Sequence, residues 1–199
     1  MVLPNQLTVL RIILTPVFLV LFLSENSSYK QLSLVVFIIA AITDWYDGWL
    51  ARKFNYITNW GKFMDPLADK ILTSTAFLAF AFLGVLEMWM VILIIIRDFL
   101  ITGLRLYAEY KGDRMSTSHI AKWKTFLQMV FIYYLLLVFT LKTVESVYNG
   151  NEYLFSILTD HRFIYITMLF VTILTIITGI TYLYSNRRLI KRLFINENA

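Results

Sequence analysis

The stretch Asp44-Trp45-Tyr46-Asp47-Gly48-Trp49-Leu50-Ala51-Arg52, followed after eight residues by Gly61-Lys62-Phe63-Met64-Asp65-Pro66-Leu67-Ala68-Asp69, sets four carboxylates between strongly apolar runs. An aspartate near the centre of a bilayer costs about 2.5–3.5 kcal/mol on insertion scales, so acids at that depth mark a functional site with cations as partners. On a helix, Asp44 and Asp47 (i, i+3) share one face, and so do Asp65 and Asp69 (i, i+4) on the next. Two helix ends crossing here build one pocket of four carboxylates. Like charges about 4 Å apart repel by roughly 4 kcal/mol at an effective dielectric near 20, so such a pocket requires bound cations or shared protons. Hard, oxygen-seeking divalent ions fit it, Mg²⁺ first and Mn²⁺ second. The competing reading makes these helix-end acids partners of Lys53, Lys62 and Lys70.

The surrounding chain decides between a soluble and a membrane setting. Of 199 residues, 59% are hydrophobic and 17% aromatic, and the mean hydropathy is +0.68. That composition is an integral membrane protein's. Six apolar segments follow one another, at 7–23, 32–52, 62–86, 88–110, 122–141 and 163–184, each long enough to span a hydrocarbon layer of about 30 Å as a helix. Only the last is uncharged throughout. The others reach spanning length by including charged ends, which implies that their polar residues face a shared wet cavity and not lipid. The expectation is an all-α integral membrane protein, one domain over 1–199, folded as a bundle of six transmembrane helices.

Charge orients the bundle. With the N-terminus cytoplasmic, fifteen of the eighteen Lys and Arg fall on the inner side, and only Lys30, Lys142 and Arg162 on the outer. Both termini and the acid cluster then face the cytoplasm, so the active-site cavity opens there, in a cell inner or plasma membrane. The first apolar run has the length of a signal-peptide core but lacks a charged segment before it and a small-residue cleavage site after it. The absence of cysteine excludes disulfides, thiol nucleophiles and thiolate metal sites. A net charge of +5 suits an anionic membrane surface or anionic substrates, and no nucleic-acid motif is present.

The spaced acids fill every fixed position of D-x2-D-G-x2-A-R-x8-G-x3-D-x3-D, from Asp44 to Asp69. This pattern resembles the signature of the CDP-alcohol phosphatidyltransferase family. The resemblance implies that Asp44, Asp47, Asp65 and Asp69 hold two divalent cations against the pyrophosphate of a CDP-linked lipid, CDP-diacylglycerol, and that Asp69 is the general base for an attacking hydroxyl. It also implies that Gly48, Ala51, Arg52 and Gly61 surround the nucleotide and pyrophosphate. The glycines have a plainer reading as helix contacts through small residues, and Arg52 one as a helix-end arginine reaching to the interface. Near the N-terminus, Pro4-Asn5-x-Leu7-Thr8-x-x-Arg11 reads as a helix start with Asn5 as N-cap. It also resembles a family element beside the nucleotide, which would make Asn5 and Thr8 ligands. Arg11 is expected to meet headgroup phosphates.

The acceptor is encoded further on. Arg97-Asp98-Phe99-Leu100-Ile101-Thr102-Gly103-Leu104-Arg105 places charge within the fourth segment, and Ser118, Lys122, Lys124, Thr125 and Gln128 add donors after the turn. These segments resemble the bacterial phosphatidylglycerophosphate synthase branch of the family, with Asp98 for a Glu and Ala121 for a Gly. On that resemblance Arg97, Arg105, Ser118, Lys122 and Lys124 hold the phosphate of glycerol 3-phosphate, and the protein acts as a homodimer among membrane lipids. The alternatives are a structural Arg97–Asp98 pair beside snorkelling lysines; another acceptor such as serine, an inositol phosphate or phosphatidylglycerol; and a cation channel lined by the acids. His119 and His161 read as hydrogen-bonding residues, the tryptophans as an interfacial belt, and the last helix as generic.

Overall fold

A computed structural model describes residues 3–54, 59–113, 115–116 and 119–195. Ser118 lies outside them, as do the side chains of Ala51 and Arg52, whose backbone continues a helix. The described residues form nine helices and no strand: α1 (Leu3–Leu23), α2 (Ser27–Phe54), α3 (Asn59–Phe82), α4 (Met88–Tyr110), α5 (His119–Leu141), α6 (Glu145–Tyr148), α7 (Glu152–Leu158), α8 (His161–Ser185) and α9 (Arg187–Ile195). The six long helices run from 21 to 28 residues, about 31–42 Å at 1.5 Å per residue.

Among the described residues four stretches are both long and apolar enough to cross a membrane: Asn5–Leu23, Ser27–Leu50, Ile120–Leu141 and Glu152–Ser185. The chain is a membrane protein on that ground. Helices α3 and α4 have the length but are diluted by Lys62, Asp65, Asp69 and Lys70 in one and by Arg97, Asp98 and Arg105 in the other. These charges are the ones expected to face a cavity.

Local chemistry sets the helix ends. Asn26 Oδ1 accepts from Ser28 N at 2.9 Å and caps α2, which therefore begins five residues before the apolar run does. Helix α3 ends where Gly84, at φ +70°, lets Val85 N reach Phe80 O and Gly84 N reach Ala81 O, both at 3.0 Å. That pair of bonds satisfies the last carbonyls of the helix. Helix α1 begins at Leu3, so Asn5 is in its first turn and is not the cap; Pro4 fits the start because no donor is needed there. Between α5 and α8 lie the two short helices α6 and α7.

One apolar core holds the long helices together. Phe18 and Phe22 of α1, Phe37 of α2 and Phe80 of α3 are nearly or fully buried, with ring centroids 5.0–5.5 Å apart along the chain of contacts. Ile94, Leu135, Leu136 and Met168 extend the core to α4, α5 and α8. The buried charged residues Arg11, Asp47, Asp98 and Lys124 come from α1, α2, α4 and α5.

Candidate active site

Helix α1 collects the acids. Arg11 is fully buried, with Nη1 2.5 Å from Asp44 Oδ1 and Nη2 donating to Asp47 Oδ2 at 2.5 Å. The expectation that Arg11 meets headgroup phosphates is corrected: its side chain turns inward to the α2 carboxylates. Thr8, on the same face of α1 three residues earlier, donates from Oγ1 to Asp65 Oδ1 at 2.5 Å. Acids from α2 and α3 thus converge on one stripe of α1. Asp44 lies within electrostatic reach of Asp65 and Asp69, and Asp47 within reach of Asp44 and Asp65. Asp44 is 45% exposed and Asp69 27%, while Asp47 is 4%, so Asp44 and Asp69 present oxygen outward and Asp47 anchors the cluster from within.

The donor set fits hard cations in its chemistry. Four carboxylates meet two contacting cations among the described residues, Arg11 and Lys70, the latter with Nζ 3.3 Å from Asp69 Oδ2. Two negative charges are left over, and a divalent ion would compensate them. In the arrangement seen here Arg11 and Thr8 occupy carboxylate oxygens that such ions would also use. Among the described residues no three acids or histidines stand close enough to ligate one ion.

From Asp69 a cavity of about 540 Å³ extends between α3, α4, α5 and α8, within the usual range for small-ligand pockets, about 300–1,000 Å³. Asp69, Lys70, Arg97, Arg105 and Lys122 line it. It therefore joins the end of the acid cluster to three of the five residues assigned to the acceptor. Lys124 is placed differently. It is fully buried behind the wall, and its Nζ donates to Asp98 Oδ1 at 2.6 Å. Asp98 also accepts from Arg97 Nη1 at 3.0 Å and from Gln128 Nε2 at 3.2 Å. Among the described residues Arg105 and Lys122 make no ion pair with the acids near them, so their charge is available to an anion in the cavity.

Of the residues expected at the nucleotide, Asn5 and Thr8 are buried on the α1 stripe. Gly48 follows Asp47 on α2 and Gly61 opens α3 one turn before Asp65. Two contributions escaped the sequence. One is the inward direction of Arg11, and the other is α8, which supplies Tyr182 to the cavity wall and Thr178 as a hydrogen-bond partner of Arg97. The available signal was Thr172, Thr175 and Thr178, three buried hydroxyl residues at spacing three in the helix.

Fold and site together define a helical membrane protein built around an acid cluster that adjoins a cation-lined cavity. The chain belongs to the CDP-alcohol phosphatidyltransferase family, whose sequence model matches residues 1–177. Three relatives carry the name CDP-diacylglycerol–glycerol-3-phosphate 3-phosphatidyltransferase. That of Bacillus subtilis (strain 168) is 41% identical over 147 residues, covering 68% of this chain and 76% of its own length. That of Rickettsia typhi is 37% identical over 180 residues, 90% of this chain and 94% of its own. The Rickettsia prowazekii protein is 37% identical over 180 residues, 90% and 92% respectively.

Proposed function

We propose that this chain transfers the phosphatidyl group of CDP-diacylglycerol to a hydroxyl of glycerol 3-phosphate, giving phosphatidylglycerophosphate and CMP. The observation that carries the reading is the single cavity reaching from Asp69 to Arg97, Arg105 and Lys122, which suits a hydroxyl at one end and a phosphate at the other. The names and identities of the three relatives support the same substrates.

Asp44, Asp47, Asp65 and Asp69 would hold two divalent cations, Mg²⁺ first. When bound, such ions offset charge on the pyrophosphate and on the departing CMP. Asn5, Thr8, Gly48, Ala51, Arg52 and Gly61 border the nucleotide side, where Gly48 and Gly61 leave room for close approach. Arg97, Arg105 and Lys122, with Ser118 in the adjoining connection, draw the acceptor phosphate into the cavity. Lys124 acts indirectly, by fixing Asp98, the carboxylate that holds Arg97. Asp69 takes the proton from the acceptor hydroxyl as its oxygen bonds to the phosphorus of the phosphatidyl group and the bond from that phosphorus to CMP breaks.

We read 1–199 as one domain of six membrane-crossing helices. The charge bias puts both termini and the cavity mouth on the cytoplasmic face of the inner or plasma membrane. A homodimer is the working assembly on the family resemblance.

Arg105→Ala is expected to raise KM for glycerol 3-phosphate about tenfold or more, the loss of one charge-assisted hydrogen bond, with KM for CDP-diacylglycerol little changed. Steady-state kinetics in detergent micelles checks it, and an unchanged acceptor KM would remove Arg105 from the phosphate site. Purified protein given CDP-diacylglycerol with single acceptors tests the assignment itself. Release of CMP with glycerol 3-phosphate is expected; release with serine alone would reject it.

A further inference from the structure

Arg97 is the one cation of the cavity wall that reaches it from deep within α4, and it is held from a helix the sequence left without a role. Its Nη2 donates to Thr178 Oγ1 on α8 at 3.1 Å. Thr178 is 1% exposed, and its own hydroxyl donates to Leu174 O at 2.8 Å. With its proton committed to that carbonyl, the Thr178 oxygen has a lone pair left for the guanidinium. On the other side, Nη1 donates to Asp98 Oδ1, which Lys124 and Gln128 fix in place.

The next residue of α8 explains how so long a side chain fits. A Cβ on Gly179 would stand 3.0 Å from Arg97 Cγ and 3.4 Å from Nε. The stem of Arg97 therefore lies directly on the glycine backbone. An alanine there would require the stem to give by a few tenths of an ångström, and a larger residue would require more. An arginine held at both of its terminal nitrogens, Nη1 and Nη2, and along its stem loses little freedom when it binds an anion, and that lowers the entropic cost of capture.

We propose that Thr178 and Gly179 of α8 are positioning residues that hold Arg97 ready for the phosphate of the acceptor, an inference that rests on the reading of Arg97 as a phosphate ligand. Thr178 and Gly179 then set acceptor affinity without touching the acceptor.

Kinetics of T178V, T178S, G179A, R97A and the double variant R97A/T178V, in the full-length protein with glycerol 3-phosphate and CDP-diacylglycerol varied in turn, test it. T178V should raise the acceptor KM about five- to tenfold, within the usual net worth of one intramolecular hydrogen bond, with KM for CDP-diacylglycerol within about twofold of the parent. T178S, which keeps the hydroxyl, should restore it. G179A should raise the same constant, and R97A/T178V should match R97A alone because both changes remove one device. A raised acceptor KM in R97A with parental values in T178V and G179A overturns the proposal and leaves the reading of Arg97 intact. An unchanged acceptor KM in R97A removes Arg97 from phosphate binding and the proposal with it. If T178V does not fold, G179A decides, and a parental acceptor KM in a stably folded G179A contradicts the role given to α8.

Discussion

Replacing Asp65 or Asp69 with Asn is expected to lower kcat by about 10³-fold or more at every Mg²⁺ concentration, because each change removes a charged oxygen that neither a cation nor a proton-transfer step can replace. The two variants should differ in kind. Asp65 is tied to Thr8 on α1, so D65N weakens the cluster where α1 and α3 meet. Asp69 opens on the cavity, so D69N should bind both substrates and fail in turnover. Rates of CMP release with substrate affinities measured separately distinguish these outcomes. Turnover in D69N within tenfold of the parent would remove it as the base.

The second large effect is at Arg11. Arg11→Ala leaves Asp47, 4% exposed, without the cation 2.5 Å away, and Asp44, 45% exposed, with solvent and the more distant Lys70 to screen it. Removing one partner of a buried pair costs about 3–5 kcal/mol; the exposed Asp44 half adds little. Arg11→Lys should recover part of the loss, since one ammonium cannot bridge two carboxylates as a planar guanidinium does. Thermal unfolding in detergent should therefore rank parent above R11K above R11A. If Arg11 serves as an internal counter-ion of the acid cluster, Mg²⁺ should raise the Tm of R11A more than that of the parent. Equal Tm values for R11A and the parent would contradict this role.

A smaller effect separates the buried half of the acceptor wall from the open half. Lys124→Met keeps the length of the side chain and removes the charge that faces Asp98. It is expected to lower Tm through the uncompensated Asp98 and to raise the acceptor KM less than R105A does, because Lys124 does not line the cavity. A larger KM effect in K124M than in R105A would return Lys124 to the phosphate site.

The long helices were legible because hydropathy is a sum over neighbours in sequence, and six apolar runs of spanning length leave few alternatives. Their ends shifted where a cap decided them: Asn26 starts α2 among polar residues that hydropathy discards. The shared face of each acid pair was legible from spacing, since i, i+3 and i, i+4 pairs fix a face whatever the bundle does. Partner choice was not. Arg11 on an exposed helix end and Arg11 between two carboxylates have the same sequence, and only the packing of α1 against α2 distinguishes them. Lys122 and Lys124 likewise read as one donor cluster, yet two residues on a helix turn a side chain by about 200°. One faces the cavity and the other Asp98. The contribution of α8 was hidden for the same reason, because a threonine bonded to its own helix carbonyl looks generic until its lone pair meets an arginine from another helix.

The account stands on the carboxylates of α2 and α3 forming one divalent-cation site. Titration of the purified protein with Mn²⁺, followed by electron paramagnetic resonance, tests it directly. Two bound Mn²⁺ per chain, with the number reduced in D44N and D65N alike, is the result expected; no tight binding, or the same stoichiometry in both variants as in the parent, would contradict it.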